Sequence, residues 1–269
     1  MTVGVNYLGQ MGQLGNQMFQ YAAVLGISRY LGVPFTVPKH DTVIDDGLGN
    51  KLRIELFDCF DIEPDNIGYL NSENVFKEQG FEFDSRYRTL DRRENFTIYG
   101  FFQSEKYFEN SIEEVREQFK FKDSIIKDTQ YVVEEFYDNP IGLHIRRGDF
   151  LINSGNHHNL TIEYYQRALT HFKYTRNVIV FSDDPEWCKE QSIFSNDRFI
   201  ISEGNSSFHD LYLMSKCNDF IIANSTFSWW GAWLSDNPDK KVIAPRKWFG
   251  PNNAHLNTKD LYPKGWVIV

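Results

Sequence analysis

The feature that most constrains the fold of this chain is a regular alternation of short apolar runs and helical patterns in its C-terminal half. The apolar runs are predicted as strands at residues 141–146, 178–181, 198–201, 220–223 and 241–244. Helices are predicted between them at residues 161–172, from Pro185, near 207–215, and around Trp229, Trp230 and Trp233. Strands that alternate with helices predict an α/β chain whose C-terminal half is a doubly wound parallel sheet.

The first of these strands ends in a cluster of cationic side chains. Its apolar residues alternate with Gly142, His144 and Arg146, which is the period of a strand with two distinct faces. His144 and Arg146 therefore point to one side and Arg147 to the other, and Gly148 ends the strand. Open α/β sheets bind ligands at the edge where their strands end. Because Arg offers a planar, permanently charged fork of donors, two of them beside an imidazole suit a pyrophosphate.

Polar residues also follow two later strands of the predicted sheet. They are Ser182, Asp183 and Asp184 after one strand, and Asn224, Ser225, Thr226 and Ser228 after another. All of these side chains would gather at one edge of the sheet, where ligands bind. The hydroxyls that open the last helix either cap it or seat an anion, and the two roles are compatible. For Asp184, which precedes a proline, helix capping is the favoured interpretation.

The N-terminal half begins with a strand predicted at residues 2–8 and a glycine-punctuated loop. A helix is predicted at residues 16–31, with Asn16 as its candidate cap and Gly32 as its stop. Gly12 and Gly15 permit backbone conformations that let a sugar or phosphate approach the helix N-terminus, and a plain tight turn is an equally weighted alternative.

The remaining pattern of this half is less regular. Strands are predicted at residues 34–38 and 98–103, and helices at 104–108, 111–121 and 124–137. No element is assigned between residues 40 and 93. The Asp-Asn-Pro turn at 138–140 is the best boundary and divides the chain into domains 1–138 and 139–269.

Charge and cysteine content exclude several classes of protein. The formal net charge of −9 argues against a nucleic-acid binder, which normally has a basic surface. Cys59, Cys188 and Cys217 are far apart, so neither a disulfide framework nor a zinc knuckle is expected. No leader pattern and no run as long as a membrane span occurs, which predicts a cytoplasmic protein without an integral membrane segment. The chain contains no Asp-x-Asp, and two adjacent carboxylates make a poor metal site.

Four motifs together resemble a known family. They are Gly-Gln-Leu-Gly-Asn-Gln-Met-Phe-Gln-Tyr-Ala at residues 12–22, Tyr-Gly-Phe-Phe-Gln-Ser-Glu-Lys-Tyr at 99–107, His-Ile-Arg-Arg-Gly-Asp at 144–149, and Asn-Ser-Thr-Phe-Ser-Trp-Trp-Gly-Ala-Trp at 224–233. In this order they resemble the α-1,2-fucosyltransferases of glycosyltransferase family 11. The third motif is shared with α-1,6- and protein O-fucosyltransferases, whereas the fourth is more specific. Gln13 departs from the family, which usually has a second glycine there.

The resemblance implies a fold, a reaction and its partners. The fold would be GT-B-like, with two Rossmann-like halves. GDP-β-L-fucose would be the donor and bind the C-terminal domain, and the 2-hydroxyl of a terminal galactose in a β-galactoside glycan would be the acceptor, held mostly by the N-terminal domain. The reaction would invert the anomeric carbon and need no metal or other cofactor. An unanchored enzyme of this kind fits bacterial lipopolysaccharide or capsule assembly, with peripheral association at the inner face of the membrane as an option.

The motifs also imply roles for single residues. Arg146 is the main candidate for stabilising the departing diphosphate, with His144 beside it. The donor-binding candidates are His144, Arg146, Asp183, Asp210, Asn224, Ser225, Thr226 and Ser228. By resemblance to related fucosyltransferases, Asp210 would accept hydrogen bonds from guanine, and a solvated helix carboxylate is the alternative. The candidates for holding acceptor or fucose are Gly15, Asn16 and Gln17. Arg147 is assigned to a structural pair with Asp149, and no general base is identified.

Two other functions remain open at this point. The first is a fucosyltransferase of different linkage or one that acts on a protein, because the His-x-Arg-Arg motif is shared. The second is a non-catalytic protein that binds a nucleotide sugar or a glycan in the same pocket. Analysis of the product linkage separates the first from the α-1,2 reaction, and release of GDP separates the second.

Overall fold

The computed structural model describes residues 1–90, 93–136 and 138–269 of the chain. These residues form two compact units: the first contains Met1–Lys122 and Leu256–Pro263, and the second contains Asp123–His255 and Lys264–Val269. The sequence placed the division after residue 138. The units divide earlier because the helix Asp123–Phe136 lies against the helix Ser207–Ser215 of the second unit. The helix Asp123–Phe136 was predicted to end at Tyr137, which lies outside the described residues.

The first unit is built on a parallel sheet. Its strands are β1 (Val3–Gly4), β2 (Phe35–Val37), β3 (Ile44–Asp45), β4 (Lys51–Leu52), β5 (Asn66–Ile67), β6 (Val75–Lys77) and β7 (Phe96–Tyr99), and its α-helices are α1 (Leu14–Leu31), α2 (Leu56–Cys59) and α3 (Ile112–Gln118). Short 3-10 helices occur at Ser85–Thr89, Glu105–Tyr107 and Glu109–Ser111. The sheet has the order β5-β2-β1-β7-β6 with parallel neighbours, and β3 and β4 form a small antiparallel pair.

Helix α1 is the central helix of this unit and is buried over most of its length. It begins two residues earlier than predicted, and Gln13 occupies the N-cap position without a side-chain hydrogen bond. Asn16, the predicted cap, therefore lies inside the first turn. The predicted stop is confirmed: Gly32 has φ +71°, the left-handed conformation with which helices commonly end. The strand predicted at 2–8 is limited to Val3–Gly4, because the chain turns where Leu8 N–H donates to the carbonyl of Val5.

The second unit contains the larger sheet. Its strands are β8 (Ile141–Ile145), β9 (Val178–Ser182), β10 (Phe199–Ile201), β11 (Asp219–Ile221), β12 (Val242–Ala244) and β13 (Val267–Ile268). Its α-helices are α4 (Asp123–Phe136), α5 (Gly148–Ile152), α6 (Ile162–Leu169), α7 (Pro185–Glu190), α8 (Ser207–Ser215) and α9 (Thr226–Leu234), with 3-10 helices at Ser192–Phe194 and Pro251–Asn253. The sequence did not predict α5 or β13.

The strand order of this sheet confirms the doubly wound prediction. The order is β10-β9-β8-β11-β12-β13 and all neighbours are parallel. Counted along the unit this is 3-2-1-4-5-6, which places the reversal of strand order between β8 and β11. All residues of β8 are buried, whereas its alternating sequence predicted two distinct faces. The difference arises because helices cover both faces of a doubly wound sheet.

The core of the second unit joins both sides of that reversal. The Tyr164 hydroxyl of α6 donates to the carbonyl of Ile222, at 2.6 Å, just after β11. Helix α9 contributes Trp229 and Trp230, whose side chains are fully buried and meet edge to face at 4.9 Å.

The three cysteines, Cys59, Cys188 and Cys217, are buried free thiols. No helix in the described ranges combines the length and apolar character needed to cross a bilayer.

Candidate functional site

The candidate site of the second unit lies where its strand order reverses. Arg146 directly follows β8, and Asn224 lies between β11 and α9. β8 and β11 are parallel neighbours, with Gly142 opposite Phe220. The polar groups after these strands therefore lie at the same edge, as the sequence predicted. Such a reversal opens the crevice in which sheets of this type bind ligands.

The Arg146 guanidinium is held in place by two carboxylates. Its Nη2 lies 2.6 Å from Asp149 Oδ1, and its Nη1 lies 3.1 Å from Asp183 Oδ2. Its Cζ is 5.4 Å from the centre of the Phe150 ring. About a fifth of the side chain is exposed (19%), so the cation is fixed yet reachable from solvent. A fixed guanidinium can meet an anionic ligand without first losing the entropy of ordering its long side chain.

The predicted pairing of Arg147 with Asp149 is wrong. Arg147 Nε donates to Asp184 Oδ2 at 2.9 Å, and its Cζ lies 3.9 Å from the Trp187 ring centre. Asp149 instead reaches Arg146, because the chain enters α5 there and residues three apart on a helical turn share a face. The predicted capping role of Asp184 is confirmed, since its Oδ1 accepts from Trp187 N–H at 3.2 Å.

Asp183 joins the ends of β8 and β9. Its Oδ1 accepts a hydrogen bond from Arg147 N–H at 2.9 Å. A side chain at Gly148 would place its Cβ 2.5 Å from Asp183 Oδ2, so the Asp183 carboxylate would have to move from its present position. Burial raises the pKa of Asp183, and the charge of Arg146 acts in the opposite direction. In this structure Asp183 orders the strand end, and its contact with a donor remains a prediction.

His144 is a neutral imidazole next to Arg146. It is 4% exposed, and its ring centre lies 5.2 Å from that of Phe227. Burial, together with the charge of Arg146, lowers its pKa to about 3. Within the described part of the chain its Nδ1 has no hydrogen-bond partner. A buried polar nitrogen without a partner is rare, and a ligand could supply the missing bond.

Asn224 ties two loops together. Its Nδ2 donates to the backbone carbonyls of His158 and Trp248, both at 2.8 Å. The side chain is 3% exposed, so these hydrogen bonds lie in a buried environment where losing them is costly. The amide nitrogen of Asn224 therefore shapes the edge of the site.

The hydroxyl residues at the start of α9 differ in their surroundings. Ser228 is fully buried and its hydroxyl donates to the backbone carbonyl of Ser225 at 3.2 Å. Ser225 is the N-cap residue, and its side chain makes no capping hydrogen bond. Thr226 is the first residue of the helix. Two roles were considered for Ser225, helix capping and anion binding. The structure shows no capping hydrogen bond from its side chain, and anion binding stays a prediction.

Asp210 lies in the first turn of α8, next to the end of β10. Its Oδ1 accepts from the Ser202 hydroxyl at 2.7 Å, and Asn205 Nδ2 donates to that same hydroxyl at 3.0 Å. Burial raises the pKa of Asp210. The alternative of a solvated helix carboxylate does not describe this residue, and its contact with guanine remains a prediction.

In the first unit, Gln17 is committed to the protein interior. It is fully buried; its Nε2 donates to the carbonyls of Arg53 (2.7 Å) and Gly12 (3.2 Å), and its Oε1 accepts from Glu55 N–H at 2.8 Å. These bonds join the loop before α1 to the segment before α2. Gln17 therefore orders the loop that leads into the helical turn of Gly15 and Asn16, its predicted partners in ligand binding.

Asn16 and Gly15 lie beside it in the first turn of α1. Asn16 Oδ1 accepts from Gln103 Nε2 at 2.9 Å. Gly12 has φ +92°, and a Cβ there would come within 2.1 Å of Asn16 Nδ2. Gly15 is buried in the helix. Gly12 thus lies in a tight turn that leaves room for the Asn16 amide, and approach of a sugar or phosphate to the helix N-terminus stays a prediction.

Three residues that support the start of α1 and the turn after β7 were not identified from the sequence: Glu78, Gln20 and Gln103. Gln103 contacts Asn16, Gln20 Nε2 donates to the carbonyl of Gly100 at 3.3 Å, and Glu78 accepts hydrogen bonds from the same turn. The two glutamines belong to motifs that had been noticed, so those motifs were the available signal. Glu78 lies in the stretch between residues 40 and 93, where no pattern was readable.

Among the side chains that the structure describes, no metal site is evident. In residues 1–90, 93–136 and 138–269, no group of three or more His, Cys, Asp or Glu side chains is placed to hold a metal ion. The carboxylates of Asp149 and Asp183 are both paired with the Arg146 guanidinium. The expectation that no metal takes part therefore remains a prediction that needs a chemical test.

Comparison with known proteins identifies relatives along the whole chain. The sequence model of glycosyl transferase family 11 matches residues 2–269. The O-antigen biosynthesis glycosyltransferase WbnK of Escherichia coli is 30% identical and aligns with 93% of this chain and 96% of its own. An alpha-1,2-colitosyltransferase of Escherichia coli is 40% identical over 63% of this chain and 61% of its own. The galactoside alpha-(1,2)-fucosyltransferase 1 of Homo sapiens is 26% identical over 96% of this chain and 76% of its own.

A solved structure supports the fold. The crystal structure of the alpha-1,6-fucosyltransferase NodZ, soaked with GDP-fucose, superposes with a TM-score of 0.57 at 14% identity. The match covers 95% of this chain and 97% of that one. Together with the two parallel sheets, this likeness confirms a GT-B-like α/β fold with two Rossmann-like halves.

Proposed function

Because the chain belongs to glycosyl transferase family 11, we propose that it transfers L-fucose from GDP-β-L-fucose to the 2-hydroxyl of a terminal galactose in a β-galactoside glycan, with inversion at the anomeric carbon. In this reaction the bond between the anomeric carbon and the β-phosphate oxygen breaks, and GDP leaves with the electron pair. The galactose O2 forms the new bond from the opposite face and loses its proton. The α-1,2 linkage is supported by the relatives that carry it in their names.

The observation that supports this proposal most strongly is Arg146, held by Asp149 and Asp183 at the reversal of strand order. Negative charge grows on the diphosphate as it leaves, and a prepositioned cation stabilises that charge more in the transition state than in the ground state. The neutral His144 imidazole next to it supplies a polar contact without a second charge. Because the protein provides this cation, we propose that the reaction requires no metal.

The other candidate residues have proposed roles within their own units. In the second unit, Asp210 accepts the N–H groups of guanine, and Ser225 and Thr226 present the start of α9 to the diphosphate. In the first unit, Asn16 contacts the acceptor sugar. The O-antigen relative favours a bacterial surface glycan as acceptor.

One assay tests the whole proposal. The purified protein is incubated with GDP-fucose and lactose, GDP release is measured, and the product linkage is determined by NMR. We expect GDP release that depends on lactose and a fucose linked to galactose O2. The matched control is lactose that lacks the 2-hydroxyl of its galactose, which should give no product. A product of another linkage, or no turnover with bound GDP-fucose, would contradict the proposal and favour one of the alternatives.

A second candidate function is transfer of colitose to the same hydroxyl, because the colitosyltransferase is 40% identical over its aligned part. The two candidates share the α-1,2 linkage and the role of Arg146, and differ in the sugar that is transferred. Competition between GDP-fucose and a colitosyl donor, measured as the ratio of their kcat/KM values, distinguishes them. We expect GDP-fucose to be preferred.

Changing Asp210 to asparagine should weaken GDP binding. The guanine edge offers N–H donors, and a carboxylate accepts from two of them where an amide accepts from one. Since hydrogen bonds to a charged group contribute roughly 1.5–3 kcal/mol, we expect GDP to bind about 10–100-fold more weakly in calorimetry. Binding of ADP, which lacks those donors, should change little. The control is Asp197→Asn, an exposed carboxylate of the same unit. Unchanged GDP affinity in Asp210→Asn would rule out the guanine contact.

A further inference from the structure

A partly buried carboxylate in the first unit holds a turn of unusual conformation. Glu78 directly follows β6 and pairs with the end of β7 through its N–H, which donates to the carbonyl of Tyr99 at 3.0 Å. Its Oε2 accepts from the N–H groups of Phe101 (2.9 Å) and Phe102 (3.1 Å). Its Oε1 accepts from the Tyr107 hydroxyl at 3.3 Å. One side chain therefore fixes two successive peptides of the turn that follows β7.

The turn needs this support because its backbone is strained. Phe102 has φ +53°, a left-handed backbone conformation that residues other than glycine rarely adopt. Its ring is fully buried and lies 5.1 Å from that of Tyr107. Gly100 makes room for the carboxylate, since a Cβ there would lie 2.6 Å from the Cβ of Glu78. Such strain persists only where the surroundings over-determine the conformation, and it is common near functional sites.

The turn places the Gln103 side chain next to the start of α1. Gln103 Nε2 donates to Asn16 Oδ1 at 2.9 Å, and the carbonyl of Gly100 accepts from Gln20 Nε2 at 3.3 Å. The bond to Gln103 orients the Asn16 amide so that its Nδ2 points away from Gln103. Within the described residues that Nδ2 has no acceptor, so it is available to a sugar oxygen. The location also fits, because β1 and β7 are neighbours at the reversal of strand order in the first sheet.

We propose that Glu78 is a positioning residue for the acceptor: its carboxylate holds the turn at residues 100–103, and through Gln103 that turn orients the Asn16 amide toward a hydroxyl of the acceptor sugar. The inference rests on the proposed function, because it assigns Asn16 to the acceptor. Glu78 does not contact the reacting atoms in this scheme. Its effect should therefore appear in recognition of the acceptor and not of the donor.

The ionisation of Glu78 makes the arrangement sensitive to pH. Burial raises the pKa of Glu78 to about 7, whereas the two backbone N–H groups and the Tyr107 hydroxyl favour the ionised form. The charge of Asp84, which is itself paired with Arg86, also raises this pKa. A protonated carboxyl accepts weaker hydrogen bonds than a carboxylate. As the pH falls through about 7, the hydrogen bonds from the N–H groups of Phe101 and Phe102 should weaken, and the KM for acceptor should rise.

The test separates the KM of the acceptor from that of the donor. In Glu78→Gln at about pH 8, we expect the acceptor KM to rise about tenfold, which corresponds to loss of hydrogen bonds to a charged group, while the donor KM stays within about twofold of wild type. The acceptor KM of this variant should also be independent of pH, whereas that of wild type should rise as the pH falls through the pKa of Glu78. The control is Glu73→Gln, an exposed carboxylate just before β6, which should behave like wild type.

Each outcome has a definite consequence. Equal changes in both KM values, or an acceptor KM that matches the control, would overturn the positioning role. If Glu78→Gln fails to fold, the wild-type profile decides: an acceptor KM that stays constant between about pH 6 and about pH 8 contradicts the proposal. Failure of the proposed function looks different, since wild type would then transfer no fucose to galactose. If wild type uses another sugar donor, the same measurements are made with that donor.

Discussion

Arg146→Ala should lower kcat by about 10²–10³-fold, which corresponds to about 3 kcal/mol of lost transition-state stabilisation. The variant removes the cation that faces the leaving diphosphate. It also leaves Asp149 and Asp183 without the guanidinium between them, so their charges would repel the diphosphate. Arg146→Lys should recover little of the activity, because a single ammonium group cannot contact both carboxylates and a phosphate in the geometry of a planar fork.

The measurement is steady-state kinetics with GDP-fucose and lactose. The matched control is Arg167→Ala on α6, which removes an exposed arginine of the same unit and should leave kcat unchanged. Thermal unfolding of each variant shows whether the fold is retained. Activity of wild type should persist in EDTA. Undiminished kcat in Arg146→Ala would refute the assignment, and loss of wild-type activity in EDTA would mean that a divalent ion stabilises the diphosphate.

The second large effect concerns stability and comes from His144. Its pKa is about 3 in the folded protein, whereas the ordinary histidine value of 6.5 applies to the unfolded chain. Between pH 6.5 and about pH 3, the His144 imidazole therefore binds a proton in the unfolded chain but stays neutral in the folded protein. The stabilisation that this difference provides is fully present above pH 6.5 and is lost as the pH falls toward 3. We expect His144 to lower the free energy of unfolding by about 1.4 kcal/mol per pH unit between about pH 6 and about pH 4.

His144→Gln tests this, because glutamine is polar but cannot take up the proton. Urea unfolding is followed by tryptophan fluorescence, which reports on the second unit because all six tryptophans lie in it. The variant should lose less stability than wild type as the pH is lowered. His171→Gln, a change of an exposed histidine in the same unit, should behave like wild type. Parallel stability profiles for wild type and His144→Gln would show that His144 does not carry this pH dependence.

Much of the second unit could be predicted from its sequence. Helix α8 was predicted at the residues where it occurs, and Asp184 was recognised as a helix cap. The cluster of His144 and Arg146 at the edge of a doubly wound sheet was also predicted. These features depend on neighbours a few residues apart, because hydrophobic period and capping chemistry are local properties of the chain.

The partners of the site residues could not be predicted in the same way. Arg147 pairs with Asp184 across two strands, Gln17 is buried against Arg53, and Glu78 accepts hydrogen bonds from a turn more than twenty residues away. Each of these contacts depends on strand order and on the path of a loop. Sequence alone established the alternating α/β pattern and the kind of chemistry at the strand ends. Only the tertiary structure decided which carboxylate meets which cation, because ion pairs and buried hydrogen bonds form between groups that folding brings together from distant parts of the chain.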